Sequence, residues 1–172
     1  ANAQELVIIA VPEKAITKLP LETLSASKAV IIHGGNYYPS RDGKNPDIEN
    51  GLTDSEWVAK VIGHSVVKVF NNILAYSLAS KTLPAGNANR VALSVAGDDL
   101  KEKQLVMHLI DEIGFDAIDA GPLATSWRQQ PGEPTYCQDL DKENLMIALA
   151  KADITQRAEN MAKADEQARP YF

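Results

Sequence analysis

The sequence predicts an α/β fold with a mostly parallel sheet and helices on both faces. Apolar segments of strand character alternate along the chain with segments of helical character, which is typical of parallel sheets built from crossover units. The first apolar run, VIIAVP, is continuous and does not alternate with polar residues. A run of this kind indicates a strand that is covered on both faces.

Five strands and five helical segments are predicted in alternating order. The strands lie at residues 7–12, 29–35, 65–70, 90–97 and 115–122. The helical segments lie at residues 13–24, 53–63, 73–81, 100–114 and 143–168. A capping box starts the second, because Glu56 follows Thr53 by three residues. The fourth has one apolar face and ends at Gly114.

Two irregular segments interrupt this alternation. NYYPSRDGKNPDIENGL, at residues 36–52, is rich in Gly, Pro, Asn and Asp, and loops of this length are often functional. SWRQQPGEPTYCQDLD, at residues 126–141, is the second irregular segment. We interpret residues 1–172 as one α/β domain whose last part, residues 141–172, forms a helical C-terminal arm.

Composition limits the classes of function. The 172 residues carry 45% hydrophobic residues and a net charge of -6, with an isoelectric point near 5.1. An acidic chain of this kind does not suit non-specific nucleic-acid binding, and it contains no apolar run of membrane-spanning length. A single cysteine, Cys137, excludes an internal disulfide and favours a cytoplasmic location.

The predicted strand ends carry most of the candidate binding residues. In parallel α/β sheets, ligands bind at the carboxyl ends of the strands. Those ends are Val11-Pro12, Gly34-Gly35-Asn36, Asn71-Asn72, Gly97-Asp98 and Gly121-Pro122. Turn residues are common at any strand end, so the pattern has structural alternatives. Asn71-Asn72 also suits a helix cap, and Asp98-Asp99 fits a cap better than an acid-base or metal pair.

Several motifs, taken in their order along the chain, resemble one family. VAGDD, KEKQLVMHLIDEIGF and DAIDAGPL are similar to segments of the NADP-dependent reductases of the deazaflavin coenzyme F(420) and their wider set of dinucleotide-binding oxidoreductases. GNYYPSRDG, VVKVFNNI and SWRQQPG resemble a bacterial branch of that set. The resemblance extends from VIIAVP to about Tyr136 and implies a Rossmann-like, cytoplasmic oxidoreductase.

This sequence departs from the family at the phosphate-binding loop. Family members carry a G-x-G-x-x-G-type loop after their first strand, and no such loop occurs here. By resemblance, ELVIIAVP corresponds to the strand that follows the first βαβαβ half. That half, roughly 60 residues of two βαβ units, is therefore expected upstream and is missing from this sequence.

The resemblance assigns roles to two groups of residues. Val11 and Pro12 are expected near the cofactor ribose, while Gly35-Asn36 and Asn71-Asn72 approach the nicotinamide of NADP. An Asn amide can pair with a carboxamide, and glycine allows close backbone approach. Candidate walls for the second substrate are Tyr37, Tyr38, Trp127 and Arg128. Hydride transfer needs orientation more than a protein nucleophile, so no catalytic residue is assigned.

The remaining reactive side chains have structural interpretations. His33, His64 and His108 are scattered without the spacing of metal ligands, and no metal site is predicted. His33 is the most interesting of them because it lies near a strand end. Cys137 has no evident partner base and is expected to be inert.

Two other hypotheses for function remain open. The chain could be a non-catalytic α/β module that binds a partner or a second copy of itself, because VIIAVP would offer an apolar sheet edge. A homodimer is expected on the same ground. A flavodoxin-like binder or a phosphotransfer domain is the third possibility, but it predicts phosphate loops that the sequence does not contain.

Overall fold

The computed structural model describes residues 6–172. Its strands are β1 (Leu6–Ile9), β2 (Val30–His33), β3 (Val67–Lys68), β4 (Ala92–Val95) and β5 (Asp116–Asp119). Each strand overlaps one of the five predicted apolar runs, although each is shorter than the run. Helices cover both sides of these strands, so the predicted α/β, Rossmann-like fold class is confirmed.

The helices follow the predicted segments with two subdivisions. They are α1 (Leu21–Ser25), α2 (Pro39–Asp42), α3 (Pro46–Glu49), α4 (Asp54–Ile62), α5 (Ala75–Ser80), α6 (Leu100–Glu112), α7 (Lys142–Lys151) and α8 (Arg157–Ala168). A 3-10 helix, Glu13–Lys18, precedes α1 because Pro20 interrupts the segment. Another, Ile154–Gln156, separates α7 from α8. The long polar loop holds the short α2 and α3.

Two of the three predicted helix caps are confirmed. Thr53 and Glu56 form the reciprocal capping box of α4. Asp99 caps α6 by accepting hydrogen bonds from the backbone N–H groups of Lys101 and Glu102. The third prediction, that Asn71-Asn72 caps the next helix, is wrong. That helix, α5, begins after Leu74 and has no side-chain cap.

The strands form two parallel groups that meet in an antiparallel pair. β1, β2 and β3 are parallel neighbours in that order, and β4 pairs in parallel with β5. Lys68 and Ala96 join the groups by exchanging backbone hydrogen bonds of 2.8 and 3.1 Å, in an antiparallel bridge. β4 and β5 therefore run opposite to β1–β3.

This reversal corrects one prediction. Gly97-Asp98 and Gly121-Pro122 lie at the opposite edge of the sheet from the carboxyl ends of β1–β3. The cause is the connection between β3 and β4, which includes only the six-residue helix α5. This connection starts and ends at the same edge of the sheet. β4 therefore runs in the direction opposite to β3. The candidate ligand edge is limited to the ends of β1, β2 and β3.

Apolar packing on both faces fixes the direction of the side chains near the site. One face of β2, β3 and β4 packs against α6 through a cluster that includes Ile32, Val67, Leu93 and Ile110. The other face packs against α4 through Ile31, Val58, Ile62 and Val66, among others. Since side chains alternate along a strand, His33 and Lys68 point to the α4 face.

The C-terminal helices pack on different parts of the fold. Leu145 and Leu149 of α7 lie against β4 and β5. α8 lies against α2, where Asp165 accepts hydrogen bonds from the Ser40 backbone N–H (2.9 Å) and hydroxyl (2.8 Å). Within residues 6–172, none of the helices combines the length and the apolar character required to cross a bilayer.

Candidate functional site

The carboxyl ends of β1–β3 gather the residues that the sequence assigned to the cofactor. The register pairs Ile9 of β1 with His33 of β2, and the Gly34 N–H donates to the Ile9 carbonyl at 2.9 Å. Val11 and Pro12 follow β1, while Gly35 and Asn36 follow β2 and Asn71 and Asn72 follow β3. The structure therefore places all six residues at one edge.

Asn36 and Asn71 bind each other. The Asn36 Nδ2 donates to the Asn71 carbonyl and the Asn71 Nδ2 donates to the Asn36 Oδ1, both at 3.0 Å. Asn71 is buried, and its Oδ1 accepts from the Gln129 Nε2 at 2.9 Å. Phe70 precedes it in the left-handed region at φ 66°, which turns the chain at the end of β3. Asn71 thus positions Asn36, the partly exposed amide of the pair.

Asn72 points to the neighbouring strand. Its Nδ2 donates to the Ser94 Oγ on β4 at 3.2 Å, and the side chain is buried. Among the described residues, its Oδ1 has no hydrogen-bond partner.

Gly35 lies where a side chain would not fit. A Cβ at this position would be 2.7 Å from the His33 Nε2 and 3.2 Å from the Glu13 Oε1. The Lys68 Nζ donates to the Gly35 carbonyl at 2.6 Å, which fixes the backbone between β2 and Asn36. Glycine is required here because the backbone lies so close to the buried side chains of His33 and Glu13.

Four buried ionisable residues lie directly beneath Gly35. Glu13, His33, Asp54 and Lys68 are each at most 2% exposed; we call them the buried charge cluster. The Lys68 Nζ lies 3.0 Å from the Asp54 Oδ2, and the His33 Nε2 lies 3.0 Å from the Glu13 Oε1. The register brings the central two together, because His33 and Lys68 are paired residues of β2 and β3.

Ser55 completes this cluster by linking its two halves. Its Oγ lies 2.8 Å from the His33 Nδ1 and donates to the Asp54 Oδ1 at 3.3 Å. The cluster thus pairs the Lys68 side chain with the Asp54 carboxylate and the His33 ring with Glu13. Pairing of this kind reduces the cost of burying polar and charged groups. Ser55 is fully buried, which makes it a structural link and not a nucleophile.

Asp54 is held as a carboxylate in this cluster. Burial by itself would raise its pKa, but the charges of Lys68 and His33, together with hydrogen bonding, lower the pKa to about 2. Asp54 also lies in the first turn of α4, where the helix dipole favours a negative charge. The carboxylate can therefore hold the Lys68 ammonium, which in turn holds Gly35.

The two predicted tyrosines have different environments. The Tyr37 hydroxyl donates to the Gly43 carbonyl at 3.0 Å and accepts from the Asn45 N–H at 2.9 Å, so it anchors the loop. The Tyr38 ring packs against Phe172, with ring centroids 5.1 Å apart. The Arg41 guanidinium lies 5.3 Å from the Tyr38 ring centre.

Tyr38 also connects to the amide pair. Its hydroxyl lies 3.0 Å from the Tyr136 hydroxyl, which accepts from the Asn36 Nδ2 at 3.4 Å. Burial raises the pKa of Tyr38 and of Tyr136, so both hydroxyls stay protonated near neutral pH. Of the two tyrosines predicted to contact the second substrate, Tyr38 is therefore the one that is hydrogen-bonded, through Tyr136, to the candidate cofactor edge.

Trp127 and Arg128 lie on the 3-10 helix Leu123–Gln129. The Arg128 guanidinium donates to the Ala120 carbonyl at the end of β5, so the side chain points to the opposite edge of the sheet. The structure does not bring Arg128 next to the two tyrosines. The neighbouring Gln129, which the sequence did not single out, reaches the candidate edge and binds Asn71.

The sequence did not identify Glu13, Asp54, Ser55 or Lys68 as parts of the site. Lys68 carried a usable signal, because it is the only charged residue in the apolar run SVVKVF. A lysine in a strand that is covered on both faces requires a buried partner. Cys137 is partly buried, and burial raises the pKa of its thiol, which disfavours the reactive thiolate.

Comparisons with known proteins give the fold a context. No protein-family model matches the chain. The Escherichia coli protein YjhV is 41% identical over 70 residues, which are 41% of this chain and 51% of YjhV. The chain therefore spans about half the length of this curated relative.

Two solved structures share the fold. A hypothetical protein from Sinorhizobium meliloti, SMa0349, has a TM-score of 0.68 at 28% identity, over 80% of this chain and 67% of that protein. A protein from an Arthrobacter species, provisionally named an F(420)-dependent NADP reductase, has a TM-score of 0.56 at 24% identity. That match covers 71% of this chain and 57% of the other. The chain therefore shares the fold of these two proteins.

Proposed function

We propose that this chain forms the nicotinamide side of an NAD(P)-dependent oxidoreductase. The enzyme would transfer a hydride between NADP(H) and a deazaflavin-like, flavin-like or other small acceptor. The observation that carries the proposal is the fixed Gly35–Asn36 segment, which Lys68 and Asn71 hold at the carboxyl edge of β1–β3. The fold shared with the Arthrobacter protein, which is provisionally named an F(420)-dependent NADP reductase, supports this class of cofactor.

Each residue at this edge has a stated role in the proposal. Val11 and Pro12 would pack against the ribose, and the Gly35 backbone would lie against the nicotinamide ring. The Asn36 Oδ1 would accept from the carboxamide N–H, because the Asn36 Nδ2 already donates to Asn71 and Tyr136. Asn71 and Asn72 are buried, so they act as positioning residues that hold Asn36 and the end of β3.

Hydride transfer requires the nicotinamide and the acceptor to be oriented correctly more than it requires reactive side chains. NADPH, when bound, supplies the hydride, so the chain needs neither a nucleophile nor a metal for this step. Gly35 and Asn36 fix the face that the nicotinamide presents, and Tyr38 would support the acceptor ring on that face. The buried charge cluster keeps Gly35 in place and does not contact the reactants. No residue here is assigned to the pyrophosphate, because the sequence contains no G-x-G-x-x-G loop.

Reduced nicotinamide mononucleotide tests this proposal directly, since it carries the nicotinamide and ribose without the adenosine half. We expect its titration to shift the backbone NMR signals of Val11, Gly35 and Asn36 in a saturable way. Asn36→Ala should weaken binding by at least about fivefold, which is the effect of losing one buried hydrogen bond.

Asn89→Ala is the matched control, because Asn89 is exposed and lies outside this edge. It should leave the affinity unchanged. If neither the mononucleotide nor NADPH shifts these signals, the chain does not form a nicotinamide site.

The edge of β1 favours a second candidate function, a non-catalytic module that pairs with another strand. Among the described residues, β1 pairs only with β2, and Ile8 is 55% exposed. An apolar strand edge in this state is a site for pairing, for instance in a homodimer. Sedimentation of the chain with and without Ile8→Lys tests this, and a monomer at high concentration would contradict it.

A further inference from the structure

A large cavity lies between α8 and the segment that contains α2 and α3. Its volume is about 720 Å³, which is within the usual range for small-molecule sites. Apolar side chains form most of the wall, and they are Tyr37, Pro39, Ile48, Ile154, Ala158, Met161 and Ala162. Of the residues proposed for the cofactor and acceptor, only Tyr37 lines it. The cavity is therefore separate from the nicotinamide edge.

Two sets of hydrogen bonds hold this cavity open. At the start of α8, the Arg157 guanidinium donates to the Gly51 and Leu52 carbonyls at 3.0 and 2.7 Å. Two turns later, Asp165 binds Ser40. The helix is thus fixed at two points that are about 12 Å apart along its axis.

Asp165 gives the cavity a negative charge that a ligand can reach. The residue lines the wall and is only 7% exposed. Its Oδ1 accepts both hydrogen bonds from Ser40, whereas its Oδ2 accepts none from residues 6–172. The Oδ2 is nevertheless not among the side-chain atoms that are closed off from solvent, so it retains surface for a ligand to contact. A largely buried carboxylate is costly unless a cation pairs with it.

The basic residues of the wall leave this carboxylate unpaired. They are Lys44, Arg157 and Arg169. Backbone carbonyls hold the Arg157 guanidinium at the other end of α8, and the two remaining basic residues are exposed. In the part of the chain that the structure describes, the Asp165 side chain binds Ser40 alone. The cavity therefore has an anionic end without a cation to neutralise it.

The environment of Tyr37 reports the same negative charge. Burial is the main cause that raises the pKa of the Tyr37 hydroxyl, against a hydrogen bond from the Asn45 N–H that lowers it. The carboxylates of Glu49, Asp42 and Asp165 raise this pKa further. Their charges act together beside a ring that lines the cavity, and such a position favours a cationic ligand group.

We propose that this cavity is a second small-molecule site, which binds a primary amine with a compact, mostly apolar body. The ammonium group would donate a charge-assisted hydrogen bond to the Asp165 Oδ2. The body of the ligand would pack on Ile48, Ile154 and Met161. An alkylamine is protonated at neutral pH, since the unperturbed pKa of such a group is about 10, as in lysine.

Tryptamine, an indole that carries a primary amine, is the probe that tests this site. We expect saturable NMR shifts at the backbone amides of Ala158 and Ala162. Tryptophol has nearly the same apolar body but carries a hydroxyl in place of the ammonium group. It should bind at least about tenfold more weakly, because a hydrogen bond between two charged groups is stronger than one from a neutral hydroxyl.

Asp165→Asn removes the charge and keeps the shape of the side chain. The Oδ1 of the new side chain can still accept from Ser40, so α8 should stay in place. Tryptamine binding should fall at least about tenfold, whereas tryptophol binding should not change. Glu159→Gln is the matched control, because it removes one negative charge from the same helix at an exposed position outside the wall. It should leave tryptamine binding unchanged.

A variant that fills the cavity separates this site from general surface binding. Ala162→Phe places a ring in the space from an exposed helix position, so folding should be retained. Binding of both probes should then fall at least about tenfold. Equal binding of tryptamine and tryptophol, unchanged tryptamine binding by Asp165→Asn or Ala162→Phe, an equal loss in Glu159→Gln, or no saturable shift would overturn the proposal.

This test does not depend on the function proposed above. The probes contain no nucleotide, and the variants lie outside the nicotinamide edge. Failure of tryptamine binding leaves the mononucleotide titration intact, and the reverse also holds.

Discussion

Replacing Lys68 by methionine should remove the compensating charge beneath Gly35. The Lys68 ammonium is fully buried, contacts Asp54 at 3.0 Å and donates to the Gly35 carbonyl at 2.6 Å. Methionine has a similar length but carries neither charge nor donor. The variant would leave a buried carboxylate and a buried carbonyl without their partner. We expect the free energy of unfolding at pH 7 to fall by about 3–5 kcal/mol, which is the usual cost of breaking a buried ion pair.

The pH dependence of this loss has a definite sign. Without Lys68, burial raises the pKa of Asp54 in the folded protein, so the charged carboxylate destabilises the variant at neutral pH. Lowering the pH protonates Asp54 and removes that penalty. The deficit of Lys68→Met relative to the wild type should therefore shrink between about pH 7 and pH 5. Urea unfolding followed by the fluorescence of Trp57 and Trp127 measures the deficit at each pH.

A second variant and a surface control make the reasoning refutable. Lys68→Met with Asp54→Leu replaces both charges by apolar groups and should recover most of the lost stability. Lys60→Met removes a lysine that is paired with Asp47 at 2.8 Å on the surface, and it should cost no more than about 1 kcal/mol. If Lys68→Met costs as little as Lys60→Met, or if the double variant is no better than the single one, the buried charge cluster does not have the energetic role described above.

Three further perturbations test the same region. Gly35→Ala forces a Cβ to within 2.7 Å of the His33 Nε2, and urea unfolding should show a loss of about 1–3 kcal/mol, together with loss of mononucleotide binding. Thr53→Ala removes the capping box of α4 and should cost about 1–2 kcal/mol in the same assay, whereas retained stability would contradict the cap. The pKa of Asp54 is lowered on folding to about 2, so its stabilising contribution is present above about pH 4 and is lost as the pH falls towards 2. Asp54→Asn should be less stable than the wild type at pH 7 but should lose less stability over that acidic range.

The strands and the longest helix could be predicted because their signals are local. The apolar runs mark the five strands, and the period of Leu100–Glu112 together with the cap at Asp99 marks α6. The direction of β4 could not be predicted in the same way. A connection of about 20 residues permits either a crossover to a parallel strand or a return to an antiparallel one. The edge at which the chain re-enters the sheet is decided by long-range packing.

The same distinction between local and long-range signals applies to the candidate site. The two asparagines could be predicted from the sequence, whereas the buried charge cluster could not. Asn36 and Asn71 follow their strands directly, so their meeting at one edge follows from the parallel order of β2 and β3. The buried charge cluster draws one residue from each of four elements, and each residue has an ordinary local interpretation. Asp54, for example, is an acid in the first turn of a capped helix.

For one residue of the cluster, Lys68, the sequence does predict a buried acidic partner. Lys68 lies between Val67 and Val69 in a strand with both faces covered, so an acid had to approach it from one of the packed helices. Alternation along β3 directs Lys68 to the face opposite Val67, and the register pairs it with His33. The helix on that face is α4, whose first turn contains Asp54. Strand register and helix placement therefore decide together which acid holds the lysine, and through it where the backbone of Gly35 lies.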